Sequence, residues 1–305
     1  DLFSYAGCGI PYFVGGDVAD AESLRSTFAH VLRDCTYFEK VKDVEVRPRT
    51  EALFIDRKER LVAVRNLTDG SEERLSYDKL VLATGSRPAV PEIEGLELPG
   101  AIVVSNLRQA EKVKELVSKG MVESAVVVGG GAKGIELAEA LTDLWGVETT
   151  LIEKRDSILG NTFGDDMALL IRNHLEESDV RVLTSRNVVK IAGDPENGVE
   201  AVETDRERIS CELVVIAAGT APNSRLAKEA GLAIGETGGI AVDERMATSD
   251  PNIYAGGDCV ELTHLVSGRK VHMPMGSLAN IQGRVIGTNI AGGRDSFPGT
   301  ISSLC

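Results

Sequence analysis

Apolar residues change their spacing along the chain, and the changes separate strand-rich stretches from helical ones. Between Val44 and Ala83 they alternate or cluster at strand spacing, with a hairpin-type turn at Asp69 and Gly70. After a proline-rich connection, SRPAVPEIEGLELPG, a helical period runs over residues 106–119. The stretch between Val44 and Ala83 is therefore predicted to form strands, and a helix is predicted to follow the proline-rich connection.

From Ser124 onward, strands and helices alternate. The strand AVVV enters a glycine turn and a helix, and the strand TTLIEK follows. A helix is predicted over residues 165–177, then the strands VRVLT and GVEAVET and the buried run ELVVIAAGT, with a last helix over 277–291. This order predicts an α/β fold in which one domain is inserted within another.

Length, composition and charge narrow the classes of function. The 305 residues, 43% of them hydrophobic, are enough for two domains with separate cores. No apolar run approaches the roughly twenty residues of a membrane span, and the first residues do not read as a signal peptide, so we expect no membrane partner. The net charge of −14 makes nucleic acid an improbable partner, because phosphate backbones bind basic surfaces.

The five cysteines, Cys8, Cys35, Cys211, Cys259 and Cys305, are scattered without CxxC spacing. This pattern suits neither a disulfide scaffold nor a zinc site, so we expect no metal and a reducing, cytoplasmic setting. Cys8 lies between glycines in SYAGCGIPYFVGG, and Tyr12 and Phe13 occupy the positions four and five residues later. A redox pair within this segment is thereby excluded. Cys8 alone could still cycle through a mixed disulfide, persulfide or sulfenic acid, or it could be an inert buried thiol.

The segment VVVGGGAKGIE matches a dinucleotide fingerprint at Gly129, Gly131 and Gly134. These glycines would permit a tight turn, the approach of a pyrophosphate and close helix packing, respectively. A glycine turn in any α/β protein is the alternative, but Glu153 ends the next strand, where an acid accepts hydrogen bonds from ribose hydroxyls. The acid favours NADH over NADPH, although the basic Lys154 and Arg155 follow it.

Together the segments SYAGCGIPYFVGG, LVLATGS, VVVGGGAKGIELAEAL, VVIAAGTAPN, TSDPNIYAGGDC and PMGSLANIQGRVIGTNIAG resemble the pyridine nucleotide–disulfide oxidoreductase flavoproteins. Within them, the chain resembles the single-cysteine branch of coenzyme A disulfide reductases, NADH oxidases and NADH-dependent persulfide reductases, and the GIPY after Cys8 looks more like the coenzyme A disulfide and persulfide reductases than the oxidases. The resemblance implies two Rossmann-like (three-layer ββα) nucleotide-binding domains, with the NAD domain inserted into the FAD domain. It implies the boundaries 1–107 (FAD), 108–240 (NAD(H)), 241–294 (FAD again) and 295–305 (the start of an interface domain).

The resemblance also implies roles for particular residues. Cys8 and Glu136 would be catalytic, Glu136 by facing the nicotinamide pocket, and Asp258 would bind the ribityl and phosphate region of FAD. Taken alone, Asp258 could be a turn-capping residue and Glu136 an ordinary helix glutamate. Together, the fingerprint, the resemblance and, for Lys133, the separate hypothesis given below predict the following cofactor-binding residues: Gly129, Gly131, Gly134, Glu153, Lys133, Gly219, Thr84, Gly85, Gly257, Asp258, Ser277 and Ala279.

The implied activity passes hydride from NADH through FAD to a disulfide, persulfide or polysulfide sulfur held by Cys8. The alternatives are an NADH oxidase or peroxidase that reduces oxygen or peroxide, and a non-catalytic nucleotide-binding redox module. The implied partner is a small thiol, disulfide or persulfide, and relatives imply a homodimer. We also expect this sequence to be part of a longer protein and to bind FAD weakly alone, since a first fingerprint before Ser4 is expected and does not occur.

One departure from the family pattern gives a further hypothesis. Relatives carry an aromatic residue and an aliphatic one where this chain has Ala132 and Lys133. Lys133 lies three residues before Glu136, so the two side chains can meet on one helix face. We hypothesise that Lys133 supplies positive charge to Glu136 and the flavin, or to the pyrophosphate. The alternative is that it extends into solvent.

Overall fold

A computed structural model describes residues 3–160 and 162–301 of the chain. Its contacts separate two compact units, and each is discontinuous in sequence. We call Phe3–Tyr37 together with Pro88–Gly219 the central unit, and Phe38–Arg87 together with the residues from Thr220 onward the flanking unit. Cys305 and residues 302–304, which end the predicted interface segment, lie outside the described residues.

The helices, in chain order, are α1 (Ile10–Gly15), α2 (Ala21–Arg25), α3 (Cys35–Lys42), α4 (Leu107–Ser118), α5 (Ala132–Asp143), α6 (Asp165–Glu177), α7 (Arg225–Glu229) and α8 (Gly276–Ile290). The strands are β1 (Thr50–Asp56), β2 (Leu61–Asn66), β3 (Glu72–Ser76), β4 (Leu80–Leu82), β5 (Ser86–Pro88), β6 (Ala101–Val103), β7 (Ser124–Val128), β8 (Glu148–Ile152), β9 (Arg181–Leu183), β10 (Val188–Asp194), β11 (Gly198–Thr204), β12 (Arg208–Ser210), β13 (Leu213–Ile216), β14 (Thr220–Pro222), β15 (Ile253–Ala255), β16 (Leu262–Thr263) and β17 (Lys270–Val271).

The central unit has the three layers predicted from the sequence. A parallel sheet in the order β6-β13-β7-β8-β9 carries helices, and an antiparallel sheet in the order β10-β11-β12 forms another layer. Val126 and Val214 of the parallel sheet share an apolar cluster with Ile191 and Val202 of the antiparallel one. Because both faces of the parallel sheet are covered, β7 and β13 are continuous apolar runs rather than alternating ones. The predicted Rossmann-like α/β fold is confirmed.

Local sequence explains where the long helices of the central unit begin. The Asn106 side chain accepts hydrogen bonds from the backbone N–H groups of Arg108 and Gln109, so α4 begins immediately after it. The side chains that α4 buries are spaced three or four residues apart, as the helical period predicts: Leu107, Ala110, Val113 and Val117. Asp165 and Asp166 occupy the first turn of α6, where their negative charges stabilise the helix by interacting with the positive end of its dipole.

The flanking unit is built from two distant stretches of sequence. Strands β1, β2 and β3 form an antiparallel sheet, and the predicted turn at Asp69 and Gly70 connects its last two strands. Strand β15 pairs in parallel with β4, bringing residues 253–255 against 80–82, and α8 packs on the same core. No helix within the described residues is long and apolar enough to cross a membrane. The functional domain boundaries predicted above remain a prediction.

Candidate active site

The fingerprint segment forms a tight turn between β7 and α5 that demands glycine at two positions. Gly129 has a φ of +117°, and a Cβ there would lie 2.5 Å from the carbonyl oxygen of Ala217. A Cβ at Gly134 would overlap the carbonyl oxygen of Gly129 itself. The turn and the start of α5 therefore touch backbone to backbone, as the fingerprint predicts.

Gly131 differs from the other two because it borders open space. It is the N-cap residue of α5, no side chain caps the helix there, and a Cβ on Gly131 would meet no atom within 4 Å. The N–H groups of the first helical turn have no intrahelical partner, and the helix dipole favours negative charge at this end. The site consequently fits the pyrophosphate of a dinucleotide.

Glu153 follows β8 and directs its carboxylate at this turn. One oxygen accepts a hydrogen bond of 2.7 Å from the Gly130 N–H, and the other accepts one of 2.9 Å from the Arg155 N–H. The side chain is half-buried, so these two bonds fix its orientation. The acid predicted for the ribose hydroxyls thus lies beside the glycine turn.

Lys133 and Glu136 lie on the first turns of α5. Surrounding protein atoms raise the pKa of the Glu136 carboxyl, although the side chain as a whole is exposed. The neighbouring Glu139 carboxylate raises that pKa further, and the positive charge of Lys133 lowers it. The electrostatic part of the Lys133 hypothesis is therefore consistent with the structure.

Gly219 lies at the same edge of the central sheet as the glycine turn. It follows β13, which pairs with β7, and the Ala217 N–H donates to the Val128 carbonyl at the end of that pair. Gly219 has a φ of +101° with open space beside it, and its carbonyl accepts from the Ala89 N–H at 2.9 Å. The carboxyl ends of parallel strands are where such sheets bind ligands.

Cys8 is an exposed free thiol in the same unit. It lies in a 3-10 turn, Gly7–Gly9, that leads directly into α1, and α1 packs on both α4 and α5. The interior residues of α1, including Phe13 and Val14, are buried. A solvent-accessible cysteine is therefore attached to a helix that is held firmly in the protein.

The other described cysteines have surroundings that suit structural roles. Burial raises the pKa of the Cys211 thiol to about 12, and the nearby Glu212 charge adds to the effect. Cys259 is fully buried, with its Sγ atom 3.4 Å from the Leu82 carbonyl oxygen and 3.3 Å from that of Gly256. Cys35 is partly exposed at the start of α3. Among the described residues, no three His, Cys, Asp or Glu side chains are grouped so as to hold a metal ion.

The flanking unit contains the second group of predicted residues, around Asp258. Its carboxylate accepts a hydrogen bond of 3.1 Å from the Ser86 hydroxyl, and its carbonyl oxygen lies 2.8 Å from His272 Nε2. The preceding residue, Gly257, donates its N–H to Oε1 of the buried Gln282 at 2.7 Å. Sequence reasoning missed these three supporting side chains, although Ser86 and Gln282 both occur in the segments that carry the family resemblance.

The remaining predicted residues of this unit lie at the ends of paired elements. Thr84 and Gly85 follow β4, and Gly257 and Asp258 follow its parallel partner β15. The Thr84 hydroxyl donates to the Asn223 carbonyl at 2.6 Å. A cavity of about 340 Å³ opens here, lined by Val81, Ala83, Gly256, Gly257, Ala279 and Ile286 among others.

The start of α8 completes this site. Ser277 and Ala279 lie in its first turn, and no side chain caps the helix at Met275. Small lining residues let a flat group approach the backbone, and an uncapped helix N-terminus favours negative charge. The residues present thus fit part of a flavin nucleotide.

The structure therefore gathers the predicted residues into two sets. Cys8, Gly129, Gly131, Lys133, Gly134, Glu136, Glu153 and Gly219 belong to the central unit. Thr84, Gly85, Gly257, Asp258, Ser277 and Ala279 belong to the flanking unit. The roles of these individual residues remain predictions.

Comparison with known proteins supports the assignment made from the motifs. A family model described as "Pyridine nucleotide-disulphide oxidoreductase" matches residues 2–281. An NADH oxidase of Methanocaldococcus jannaschii is 34% identical over 300 residues, and an NAD(P)H coenzyme A polysulfide/persulfide reductase of Pyrococcus horikoshii is 35% identical. Each alignment covers 98% of this chain, which spans 64% of the length of either relative.

Solved structures agree with the sequence matches. An NAD-dependent persulfide reductase from A. fulgidus superposes with a TM-score of 0.92 at 46% identity, covering 97% of this chain and 54% of the other. The reduced CoADR-RHD protein of Bacillus anthracis gives a TM-score of 0.88 at 30% identity, covering 98% of this chain and 52% of the other. The chain therefore belongs to the pyridine nucleotide-disulphide oxidoreductase family.

Proposed function

We propose that the protein is an FAD-dependent oxidoreductase that uses NADH to reduce a disulfide, persulfide or polysulfide sulfur through Cys8. The observation that carries the proposal is that Cys8 is the one exposed thiol among the described residues, where Cys35 is only partly exposed, and that it belongs to the same unit as the open dinucleotide turn. The similarity to a persulfide reductase at 46% identity and to a polysulfide/persulfide reductase at 35% supports this choice of substrate class.

The central unit would bind and orient the nucleotide. The pyrophosphate would lie before Gly131 and the N-terminus of α5, where the helix dipole and unpaired N–H groups stabilise its charge. The Glu153 carboxylate would accept hydrogen bonds from the ribose hydroxyls and repel a 2′-phosphate, which favours NADH over NADPH. Glu136, with its raised pKa, lies on the turn of α5 that follows.

Cys8 would act as the nucleophile on sulfur. Its thiolate attacks one sulfur of the substrate, forms a new S–S bond and releases the other sulfur as a thiolate or hydrosulfide. Two electrons that originate from the hydride of NADH then break the Cys8 S–S bond, which regenerates the Cys8 thiolate and releases the attached sulfur as a second thiolate or as sulfide. The flanking unit, through Thr84, Gly85, Gly257, Asp258, Ser277 and Ala279, would hold FAD. When bound, FAD would provide the chemistry that turns the hydride of NADH into two electrons for the reduction of sulfur.

A second candidate function is the reduction of oxygen or peroxide by NADH. It is favoured by the NADH oxidase relative, which is as similar to this chain as the sulfur reductase of P. horikoshii. The same thiol could serve, because a cysteine thiolate is oxidised by peroxide to a sulfenic acid. We also propose a cytoplasmic location and a homodimeric assembly for the whole protein.

The first test is the substitution Cys8→Ser in the FAD-loaded whole protein, of which this chain is expected to be part, assayed with NADH against coenzyme A disulfide, a persulfide, polysulfide and oxygen. We expect unchanged NADH binding and loss of sulfur turnover, because serine cannot form the mixed disulfide. Cys35→Ser, at a partly exposed position, is the control and should retain turnover. Sulfur turnover that survives in Cys8→Ser would refute the role of Cys8, and turnover with oxygen alone would favour the second candidate.

A further inference from the structure

Two side chains of the central unit contact the same short helix: one lies within the apolar stripe of a helix, and the other lies just beyond the end of a second helix. Lys114 occupies the apolar stripe of α4, between the buried Val113 and Val117, where a hydrophobic residue is expected. Trp145, the only tryptophan of the chain, follows the C-terminus of α5. Neither belongs to the nucleotide turn, and neither is explained by the fold alone.

Their polar atoms meet the C-terminal end of α1 and the residues just after it. Trp145 Nε1 donates a hydrogen bond of 2.7 Å to the Val14 carbonyl oxygen. Lys114 Nζ donates to the carbonyl oxygens of Val18 at 2.8 Å and Ala19 at 3.0 Å. The last carbonyl oxygens of a helix, and those of the residues just beyond it, have no hydrogen-bond donor within the helix. Trp145 and Lys114 provide donors for three such oxygens.

A cation–π contact and a close approach of two helices also hold the same end of α1. Lys114 Nζ also lies 4.1 Å from the centre of the buried Phe13 ring, within the range of a cation–π interaction. A Cβ on Gly15 would lie 3.2 Å from the Ala140 Cβ, so α1 and α5 approach more closely than larger residues would permit. A helix of six residues is too short to be stable by itself, so its position depends on these contacts.

We propose that Trp145 and Lys114 are positioning residues that fix α1, and with it Cys8, to the helices of the dinucleotide site. The role follows from the connection of the elements. Helix α5 begins at the nucleotide turn, and its C-terminal half contacts α1, whose N-terminal end continues from the turn that bears Cys8. The nucleotide site and the thiol thereby belong to one packed body. The functional consequence rests on the proposed redox role of Cys8.

The test uses substitutions that remove the hydrogen bonds and keep the packing. Trp145→Phe retains an aromatic ring without the N–H donor, and Lys114→Met retains the aliphatic stem without the ammonium group. Lys114→Arg is the conservative rescue. Lys112→Met, at an exposed position on the same helix, is the matched control. The readouts are amide hydrogen exchange over residues 10–18, the Kd for NADH, and kcat and KM for the FAD-loaded protein with a polysulfide.

We expect exchange over residues 10–18 to accelerate about three- to tenfold in Trp145→Phe, the effect of one net hydrogen bond, and by at least as much in Lys114→Met, which loses two. The Kd for NADH should stay within about twofold while kcat with polysulfide falls and the KM for NADH does not rise. Lys114→Arg and Lys112→Met should resemble the unaltered protein.

Three results would overturn the proposal. One is unchanged exchange over residues 10–18 in both variants. Another is faster exchange spread equally over β7 and α5, which would indicate general destabilisation. The third is faster exchange of α1 with unchanged kcat in a protein whose turnover requires Cys8. If Cys8→Ser keeps its sulfur turnover, the proposed function fails instead, and the exchange data still decide whether these residues anchor α1.

Discussion

Glu153 holds its own turn, and in the proposed function it also presents a negative charge where the 2′-phosphate of NADPH would lie. Its two carboxylate oxygens accept hydrogen bonds from the N–H groups of Gly130 and Arg155. Those bonds prevent the side chain from rotating away when a larger nucleotide approaches. A fixed charge discriminates more strongly than a mobile one, because the repulsion is not relieved by movement.

We predict that Glu153→Gln reduces the preference for NADH over NADPH by about ten- to a hundredfold in kcat/KM, since it removes the charge and keeps an acceptor oxygen. Glu148→Gln, at the exposed beginning of the same strand β8, is the control and should keep the preference. Steady-state kinetics with both coenzymes provide the measurement. Equal kcat/KM for the two coenzymes in the unaltered protein would contradict the role assigned to Glu153.

The charge on Glu136 depends on two neighbours that act in opposite directions. Protein surroundings and the Glu139 carboxylate raise its pKa, and Lys133 lowers it. A carboxyl with a raised pKa in the folded protein favours folding less as the pH increases, because the unfolded chain ionises more readily. The folded protein should therefore lose a little stability as the pH rises above the ordinary glutamate pKa and through the higher folded-state value.

We predict that Lys133→Met raises the pKa of Glu136 further and that Glu139→Gln lowers it. Carbon-detected NMR titration of the glutamate carboxyls measures both shifts, and each variant serves as the control for the other. We also expect Lys133→Met to weaken NADH binding or slow the reduction of bound flavin by about tenfold, the value of one charge-assisted contact. A Glu136 titration indifferent to Lys133 would sink the hypothesis.

At the scale of elements, two fingerprint glycines differ in what they are expected to affect: Gly134 is needed for the fold of the turn, and Gly131 borders the predicted nucleotide site. A methyl group on Gly134 would overlap the Gly129 carbonyl oxygen, whereas one on Gly131 would point into open space. The φ of Gly131 is −82°, which alanine adopts without strain. The two positions therefore allow the same substitution to test two different properties.

We predict that Gly134→Ala lowers the free energy of unfolding by about 1–3 kcal/mol, because the backbone of the turn must move. Gly131→Ala should change it by less than about 1 kcal/mol and yet raise the Kd for NADH about tenfold, since the methyl group occupies the place of the pyrophosphate. Urea denaturation and fluorescence titration with NADH give the two quantities. Unaltered NADH binding in Gly131→Ala would place the nucleotide elsewhere.

Helices with long amphipathic patterns could be predicted from the sequence, as could the buried strands of the parallel sheet, but the short buried helix α1 could not. Helix α6 occupies Asp165–Glu177 as predicted, and α4 and α8 differ from their predicted ranges by about a residue at each end. Helix α1 was not predicted, because its six residues are buried on nearly all sides and show no helical period. Its position comes from the contacts with α4 and α5, which join residues far apart in sequence.

The residues of the candidate site also divide into those that the sequence predicts and those that only the structure reveals. Gly129, Gly131, Gly134 and Glu153 could be found because their chemistry requires a fixed spacing within one strand–turn–helix unit. The supports of Asp258 could not be found that way. His272 contacts the Asp258 carbonyl from a loop, and Gln282 of α8 accepts from the N–H of the preceding Gly257, so both contacts depend on the packing of the flanking unit.

At the scale of the whole molecule, the flanking unit must join two stretches of sequence that the central unit separates. Arg57, in the turn between β1 and β2, spans that separation. Its Nε donates to Asp250 Oδ2 at 2.8 Å, and its guanidinium also donates to the Gly231 carbonyl at 3.1 Å. Burial alone would raise the pKa of Asp250, but the hydrogen bonds from Arg57 and the Asn252 N–H outweigh that effect and lower it.

We predict that Arg57→Met lowers the free energy of unfolding by about 1–3 kcal/mol at neutral pH, because it removes the guanidinium that donates to the half-buried Asp250 carboxylate and to the Gly231 carbonyl. Because the pKa of Asp250 is lowered in the folded protein, its ionised carboxylate stabilises the fold at pH values above the unfolded aspartate pKa of about 3.9. This stabilisation is lost as the pH falls through the folded-state pKa. The difference between variant and unaltered protein should therefore shrink in acid. Arg47→Met removes two exposed ion pairs, with Glu45 and Glu73, and should have little effect at any pH. Equal effects of the two substitutions in urea denaturation would show that Arg57 does not tie the two stretches together.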